Sequence, residues 1–265
     1  MSTAVRSRAV RRRWWWFLWS LLVVPAIGIT AYFVTPYVSG SSTVPIDMSI
    51  PGYYVSLAVH AVPAGLALLI GPWQFVPRLR ARFPRAHRML GRVYLVSVVV
   101  AAAAATYSTV VTPSGFALQV AFAMLVVAWL YSAAQAYRTI RRGAVRLHRI
   151  WMIRNYALTF AAVTLRLYLL LGVQLMNVIP SLPYKDVYTA SAWASLLGNV
   201  LVAEYFIIHR TTSPRHSGLG RVSKAACSRS RRPGARLGRR PRICGGRPQT
   251  CASHGLATQI RTRAL

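Results

Sequence analysis

Six long apolar segments constrain the fold of this chain more than any other feature of its sequence. They cover residues 14–38, 53–77, 91–112, 116–137, 150–176 and 188–208. A helix of about 20 residues spans roughly 30 Å of hydrocarbon, and a backbone in lipid must satisfy its own hydrogen bonds. The sequence therefore predicts an all-α integral membrane protein, with a six-helix bundle within residues 14–210.

The charged residues are mostly basic and are distributed unevenly between the loops. The 265-residue chain has 33 Lys and Arg but only 3 Asp and Glu. Arginines accumulate in residues 1–13, 77–92 and 138–149, whereas loops 39–52 and 113–115 contain no Lys or Arg. This alternation follows membrane topology and is not the pattern of a nucleic-acid-binding surface. We predict an inner-membrane protein whose Arg-rich loops and two termini are cytoplasmic, with the lipid bilayer as its main partner.

Two basic segments flank the predicted membrane domain. Residues 1–13 form a basic N-terminal segment, and residues 211–265 contain no aromatic residue and no acid. The C-terminal segment has too little apolar surface to offset chain entropy, so we predict a disordered Arg-rich tail. Three interpretations of this tail are open: a segment lying on anionic lipid, a nucleic-acid-binding arm, or the product of a shifted reading frame. The first and the third are favoured. The spacing of its three cysteines predicts neither a zinc site nor disulfides.

An internal repeat emerges when the chain is shifted by 61 residues. The shift superimposes two Arg-rich loops and pairs Gln74 with Gln135, Arg80 with Arg141, Arg85 with Arg146, His87 with His148, and Arg88 with Arg149. We predict a duplicated unit of helix, basic loop and helix, in which predicted helices 2–3 correspond to helices 4–5 and the two hairpins run parallel. The alternative is that basic cytoplasmic loops resemble one another by composition alone.

Several polar residues cluster at one depth near the predicted cytoplasmic face. Because an α-helix rises 1.5 Å per residue, Arg154 and Glu204 lie at about the same distance from that face. We predict that they form a structural ion pair, since either charge alone is costly in a membrane. The same layer contains Gln74, Gln135, His87 and His148.

Other polar residues lie deeper, near the predicted midplane. His60 and Arg166 are both within roughly 5–8 Å of it by the same rise, and no acid lies at that depth. Asn199 and Tyr168 are nearby in depth and supply hydrogen-bonding groups. An ionisable residue inside a membrane is a functional-site candidate, so these four residues form a predicted ligand-binding set.

Three functional hypotheses remain open from these residues. The first is binding or transport of a small anion, or of the head of a lipid or quinone, by the ligand-binding set in a homodimer. The second is electron transfer by a b-type haem held between His87 and His148, with nearby arginines on its propionates. The third is a non-catalytic membrane scaffold or sensor. Enzyme activity is least supported, because the sequence offers no catalytic residues, no paired carboxylates, no phosphate-binding glycine loop and no metal-ligand cluster.

Five sequence blocks, in this order, carry a family resemblance. They are His60, GPWQF at 71–75, HRMLGRVY at 87–94, HRIWMIRNYALTFAAVTLR at 148–166, and WASLLGNVLVAE at 193–204. Together they resemble a family of bacterial multi-pass membrane proteins catalogued as domain of unknown function 2306. The resemblance covers about residues 50–208 and excludes the tail. It implies a membrane protein and implies no reaction or ligand.

Overall fold

The computed structural model of this protein describes residues 2–41 and 49–212, and within these residues it contains helices and no strand. The first helical segment comprises α1 (Ser2–Ile29), a π-helical turn (Thr30–Val34) and α2 (Thr35–Val38). The others are α3 (Tyr53–Gln74), α4 (Pro77–Arg82), α5 (Pro84–Val111), α6 (Phe116–Arg141), α7 (Val145–Val178) and α8 (Tyr184–Thr212).

Six of these helical segments are long and apolar enough to cross a membrane. They are Trp16–Val38, Tyr53–Gln74, Pro84–Val111, Phe116–Arg141, Val145–Val178 and Tyr184–His209. Each overlaps one of the six apolar segments, which confirms the predicted all-α membrane fold. The predicted tail lies outside the described residues, apart from residues 211 and 212, which belong to α8.

Several helices extend beyond the apolar segments that predicted them. Helix α5 begins at Pro84 instead of residue 91, and α7 begins at Val145 instead of residue 150. Hydropathy marks the part of a helix that lies in lipid, whereas backbone hydrogen bonding continues through the polar interface. Local signals set the ends: Pro84 suits a first helical position, and Gly143, with φ of 71°, follows the C-cap of α6.

Four helices form a ring at the centre of the bundle. Helix α3 packs on α5, α5 on α6, α6 on α7, and α7 on α3. In the described chain the two diagonal pairs, α3 with α6 and α5 with α7, have no Cα atoms within 8 Å of each other. Helix α8 packs against α6 and α7, and α1 packs against α3 and α7. The ring therefore has a central axis at which side chains from diagonal helices can meet.

Small residues line much of the inside of this ring. Ala67, Ala101, Ala102, Ala133 and Ala136 are each at most 4% exposed and belong to one core cluster. Small side chains let helices approach closely where lipid gives no hydrophobic drive for association. Many of the larger apolar side chains point outwards, as expected for a surface that contacts lipid. Helix contact thus depends on close packing and internal polar bonds.

A glycine lets the π-helical turn pack against α3. A Cβ atom added at Gly65 would lie 3.1 Å from Val34 Cγ2 and 3.2 Å from Thr30 Cγ2. These distances are tighter than usual carbon contacts, so the absence of a side chain permits this approach. Phe33 of this turn lies against the guanidinium of Arg166 on α7.

Candidate functional site

The predicted ion pair between α7 and α8 is present. Arg154 Nε lies 2.5 Å from Glu204 Oε1, and Arg154 Nη2 donates a second hydrogen bond of 2.9 Å to Glu204 Oε2. The guanidinium also lies 4.7 Å from the centre of the Trp151 ring. Both charged side chains are about one-third exposed, at 32% and 35%. This two-pronged geometry joins the helices and holds the guanidinium in a fixed orientation.

A cavity of about 160 Å³ adjoins this ion pair. Helices α6, α7 and α8 all contribute to its wall, which includes Tyr131, Ser132, Trp151, Arg154 and Glu204. Tyr131 and Trp151 pack edge to face with ring centres 5.5 Å apart. Because Arg154 and Glu204 neutralise each other, no bound ligand is needed to account for these two charges in the helices.

The centre of the ring contains a hydrogen-bonded network that sequence reasoning did not identify. Tyr94 from α5 donates to Asn155 Oδ1 at 2.7 Å and lies 2.9 Å from Thr159 Oγ1. Asn155 Nδ2 is 2.9 Å from both the Trp129 carbonyl and Ser132 Oγ, and Trp129 Nε1 donates to Thr159 at 2.9 Å. All five residues are buried. Since their polar groups are mutually satisfied, this network joins α5, α6 and α7 and acts structurally.

A second internal bond compensates for a proline in α3. Pro72 has no N–H, so the carbonyl of Leu68, four residues earlier, lacks its helical donor. The hydroxyl of Tyr156 lies 3.3 Å from that carbonyl and donates in its place. Gly71 makes room for the ring, because a Cβ there would lie 2.1 Å from Tyr156 Cε2. The sequence block GPWQF thus frees the Leu68 carbonyl, through Pro72, and leaves space, through Gly71, for a tyrosine of α7.

His60 is held by a neighbouring helix in a defined tautomer. Its Nδ1 lies 2.9 Å from the carbonyl oxygen of Ala101 on α5. A carbonyl only accepts hydrogen bonds, so Nδ1 carries the hydrogen and Nε2 keeps a lone pair when the ring is neutral. The ring packs edge to face against Trp129, with centres 6.5 Å apart. His60 can therefore offer an acceptor or ligand nitrogen towards the interior.

Arg166 is only weakly satisfied by the described part of the chain. Its Nη1 donates to the Ala162 carbonyl of its own helix at 2.9 Å, and its Cζ lies 4.6 Å from the centre of the Phe33 ring. Tyr37, Tyr188 and His60 are close enough to interact with it electrostatically. Among the described residues no acid is paired with this guanidinium. Most of its five N–H donors are thus available to another group.

The predicted ligand-binding set is divided between two sides of α7. Asn199 Nδ2 donates to the Ala157 carbonyl at 3.1 Å and to Thr164 Oγ1 at 3.0 Å. The Tyr168 hydroxyl lies beside Gly198 of α8, 3.7 Å from where a Cβ would be. Arg166 is two residues from both Thr164 and Tyr168, about 200° around the helix. The structure therefore groups Arg166 with His60, and Asn199 with the α7–α8 interface.

The predicted polar layer has members with different degrees of hydrogen bonding. His148 Nδ1 lies 2.8 Å from the Ala136 carbonyl. His87 Nδ1 and Gln74 Nε2 are buried and have no hydrogen-bond partner among the described residues. Arg80 and His148 are both close enough to His87 to interact electrostatically. Gln135 is only partly buried and lies one residue before the carbonyl that His148 uses.

Comparisons with known proteins identify a family and no characterised relative. The family model described as "Predicted membrane protein (DUF2306)" matches residues 57–207, which include the central ring, His60, Arg166 and the Arg154–Glu204 pair. No curated protein matches this chain. No solved structure matches it either. Since the matched region covers more than half of the sequence, the chain belongs to the DUF2306 family of predicted membrane proteins.

Proposed function

We propose that this membrane protein binds a small anionic or amphipathic ligand at Arg166 and His60. The observation that carries the proposal is the guanidinium of Arg166, which lies inside a membrane helix and pairs with no acid among the described residues. An arginine at the centre of a membrane helix costs about 2.5 kcal/mol or more. A bound carboxylate or phosphate would offset much of that cost.

The neighbouring side chains favour a ligand with an acidic head and an apolar body. Phe33 lies against the guanidinium face, and Tyr37 and Tyr188 are close to it. Such aromatic groups suit the apolar part of a ligand, while a few placed polar groups fix its orientation. The lone pair of His60 Nε2 can accept a hydrogen bond from a hydroxyl or a protonated acid. Free fatty acids, lipid phosphates and acidic quinols share this chemistry.

Ligand-dependent stabilisation of the purified full-length protein tests this proposal. In phosphatidylcholine nanodiscs, octanoate and octyl phosphate should raise the midpoint of thermal unfolding, whereas octanol should have a much smaller effect. Arg166→Gln should abolish the difference between the acids and the alcohol. Arg85→Gln removes the same charge from an exposed position and should preserve it.

An internal partner for Arg166 is the main competing explanation. Asp47 lies outside the described residues, so the Asp47→Asn variant is measured alongside Arg166→Gln. If Asp47→Asn destabilises the unliganded protein and the double substitution costs no more than either single one, the two charges pair with each other. That result, or equal stabilisation by octanoate and octanol, would contradict the proposal.

Haem binding is a second candidate, favoured by the geometry of one histidine. Because His148 Nδ1 donates to the Ala136 carbonyl, its Nε2 is left as a potential iron ligand, and His87 is nearby. Bis-histidine coordination would supply one-electron transfer. A reduced-minus-oxidised spectrum of the purified protein is the test. A haem band that disappears in both His87→Ala and His148→Ala would support it, and a spectrum without such a band would exclude it.

We also propose that the protein lies in the inner membrane with its Arg-rich loops and both termini in the cytoplasm. The six candidate spans and the asymmetric distribution of arginines support this orientation. Labelling of single cysteines in the loops by a membrane-impermeant reagent tests this orientation.

A further inference from the structure

Residues that are 61 positions apart meet at the axis of the central ring. Tyr94 of α5 donates a hydrogen bond to Asn155 of α7, its equivalent under the shift. The shift maps α3 onto α6 and α5 onto α7, which are the diagonal pairs of the ring. A half-turn about the axis would therefore preserve the order of the helices. The predicted duplication gives a natural way to compare equivalent positions in the two halves.

Burial follows the same correspondence at seven pairs of positions, whereas buried Gln74 corresponds to partly buried Gln135. Buried residues occupy both positions in the pairs Leu68 and Trp129, Gly71 and Ser132, Pro72 and Ala133, Tyr94 and Asn155, Ser97 and Leu158, Val98 and Thr159, and Ala102 and Val163. Where equivalent positions share this environment, a difference in hydrogen bonding between the halves marks a specialised position in one of them. His87 and His148 show such a difference.

The difference arises where α3 ends. His148 Nδ1 uses the carbonyl of Ala136, which lies within α6, whereas the equivalent of Ala136 is Phe75, the C-cap of α3. Helix α3 stops there because Val76 is extended before Pro77. His87 Nδ1 consequently has no partner in the described part of the chain, although this atom is buried.

A second buried donor lies on the same side of α5. Gln74 is 5% exposed, and its Nε2 has no hydrogen-bond partner among the described residues. Its Oε1 lies 3.4 Å from the position of a Cβ on Gly91, one helical turn after His87. Arg80 in α4 interacts electrostatically with His87. Neither of the two described acids, Asp186 and Glu204, is paired with this group. Unpaired buried polar atoms are rare in folded proteins. Gln74 Nε2 can only donate, and His87 Nδ1 donates in the tautomer that carries the hydrogen there, so together beside a guanidinium they fit an acceptor.

We infer that Gln74 and His87, together with Arg80, form an oxyanion-binding site at the Arg-rich end of the bundle. Its ligand is a carboxylate or phosphate that accepts hydrogen bonds from Gln74 Nε2 and from His87 Nδ1 while Arg80 supplies positive charge. His148 is a structural counterpart, because its Nδ1 is already bonded to Ala136. His148, the counterpart of His87 near the same end of the bundle, lies about 27 Å along α7 from Arg166, so this site does not depend on the ligand proposed there.

The repeat supplies a matched control for the test. Wild-type protein, His87→Asn, His148→Asn and Gln74→Leu are reconstituted in phosphatidylcholine nanodiscs and unfolded by heat, with inorganic phosphate replacing chloride at constant ionic strength. We expect phosphate to stabilise the wild type and His148→Asn, with an apparent affinity roughly tenfold or more weaker in His87→Asn and Gln74→Leu. All these substitutions preserve the arginines, so nonspecific binding of phosphate to the basic surface contributes equally.

The source of the oxyanion is distinguished by a second set of nanodiscs. If the site binds a lipid headgroup, phosphatidylglycerol nanodiscs in chloride buffer should raise the unfolding temperature of the wild type more than that of His87→Asn. Added inorganic phosphate should then compete with the lipid and reduce this difference. If it takes a free anion, phosphate alone should have that effect. Equal responses of His87→Asn and the wild type in both lipids would overturn the inference.

A chemical measurement on the wild type covers the case in which His148→Asn does not fold. Diethyl pyrocarbonate modifies accessible histidine nitrogens, and mass spectrometry reports each site separately. Phosphate should slow the modification of His87 more than that of His148. Equal protection of both, or a haem band lost in both histidine variants, would show that the two residues act as one site and would contradict the assignment.

Discussion

At the scale of the residue, the buried polar side chains divide into two kinds. Tyr94, Asn155 and Thr159 have their polar groups bonded within the bundle, so they stabilise the fold. Arg166 and His87 retain unpaired donors within the described chain, so a bound group can account for them. The distinction matters because an unsatisfied buried group costs about 1–3 kcal/mol, whereas a hydrogen-bonded pair contributes about 0.5–1.5 kcal/mol to stability.

Gly71 is expected to tolerate no side chain. Replacing it with alanine would place a Cβ 2.1 Å from the buried ring of Tyr156, so the ring must move and its bond to Leu68 must break. We expect Gly71→Ala to lower the free energy of unfolding by about 1–3 kcal/mol. Gly28→Ala is the control, because a Cβ there has no atom within 4 Å. Unfolding in detergent by steric trapping or denaturant measures both, and equal stability of the two variants would contradict the described packing.

Asn155 is expected to be the most sensitive member of the central network. It is fully buried and bonds to three partners, so Asn155→Ala would leave the Tyr94 hydroxyl without an acceptor on that side. We expect a loss of about 1–3 kcal/mol in the free energy of unfolding. Asn177→Ala, at an exposed position of the same helix, should change it by less than about 0.5 kcal/mol. An unfolding titration that gives the same loss for both would rule out a structural role for the network.

At the scale of the element, α7 organises the bundle. It contacts α1, α3, α6 and α8, and its polar side chains bond to the last three of them. Asn155 bonds to the Trp129 carbonyl of α6, and the adjacent Tyr156 bonds to the Leu68 carbonyl of α3. These two carbonyls are equivalent under the 61-residue shift. Consecutive residues of α7 therefore fix its position relative to both α3 and α6.

The ion pair should couple α7 to α8 in a double-mutant cycle. Arg154→Ala and Glu204→Ala each leave an unpaired charge in a membrane helix, whereas the double substitution leaves none. We expect each single variant to be less stable than the wild type, and a coupling energy of about 0.5–3 kcal/mol. Additive losses, measured as free energies of unfolding in detergent, would show that the pair does not hold the helices together.

At the scale of the whole molecule, apolar and polar surfaces are inverted relative to a water-soluble helical protein. Large apolar side chains such as Val127, Leu201 and Ile208 are exposed, at 67%, 69% and 55%, while the described polar network is internal. Such a surface requires lipid or detergent. Most arginines of the described residues lie in 1–13, 77–92 and 138–149, the segments that the proposed orientation places at the cytoplasmic end of this surface.

Single cysteines test that orientation directly. The three native cysteines all lie in the tail and are replaced by serine. In intact cells, a membrane-impermeant maleimide should label Ser114→Cys, in the loop between α5 and α6, and not Gly143→Cys, between α6 and α7. After the cells are opened, both should be labelled. Labelling of Gly143→Cys in intact cells would contradict the proposed topology.

The sequence by itself determined the membrane class, the number of candidate spans and the position of each polar residue along its helix. Runs of apolar residues and the helical rise suffice for these, which is why the six spans and the Arg154–Glu204 pair could be predicted. The central network, the separation of Asn199 from Arg166 and the difference between His87 and His148 depended on the tertiary structure. Depth is a coordinate along one helix, whereas these features depend on which neighbour each helix face meets and on where α3 ends.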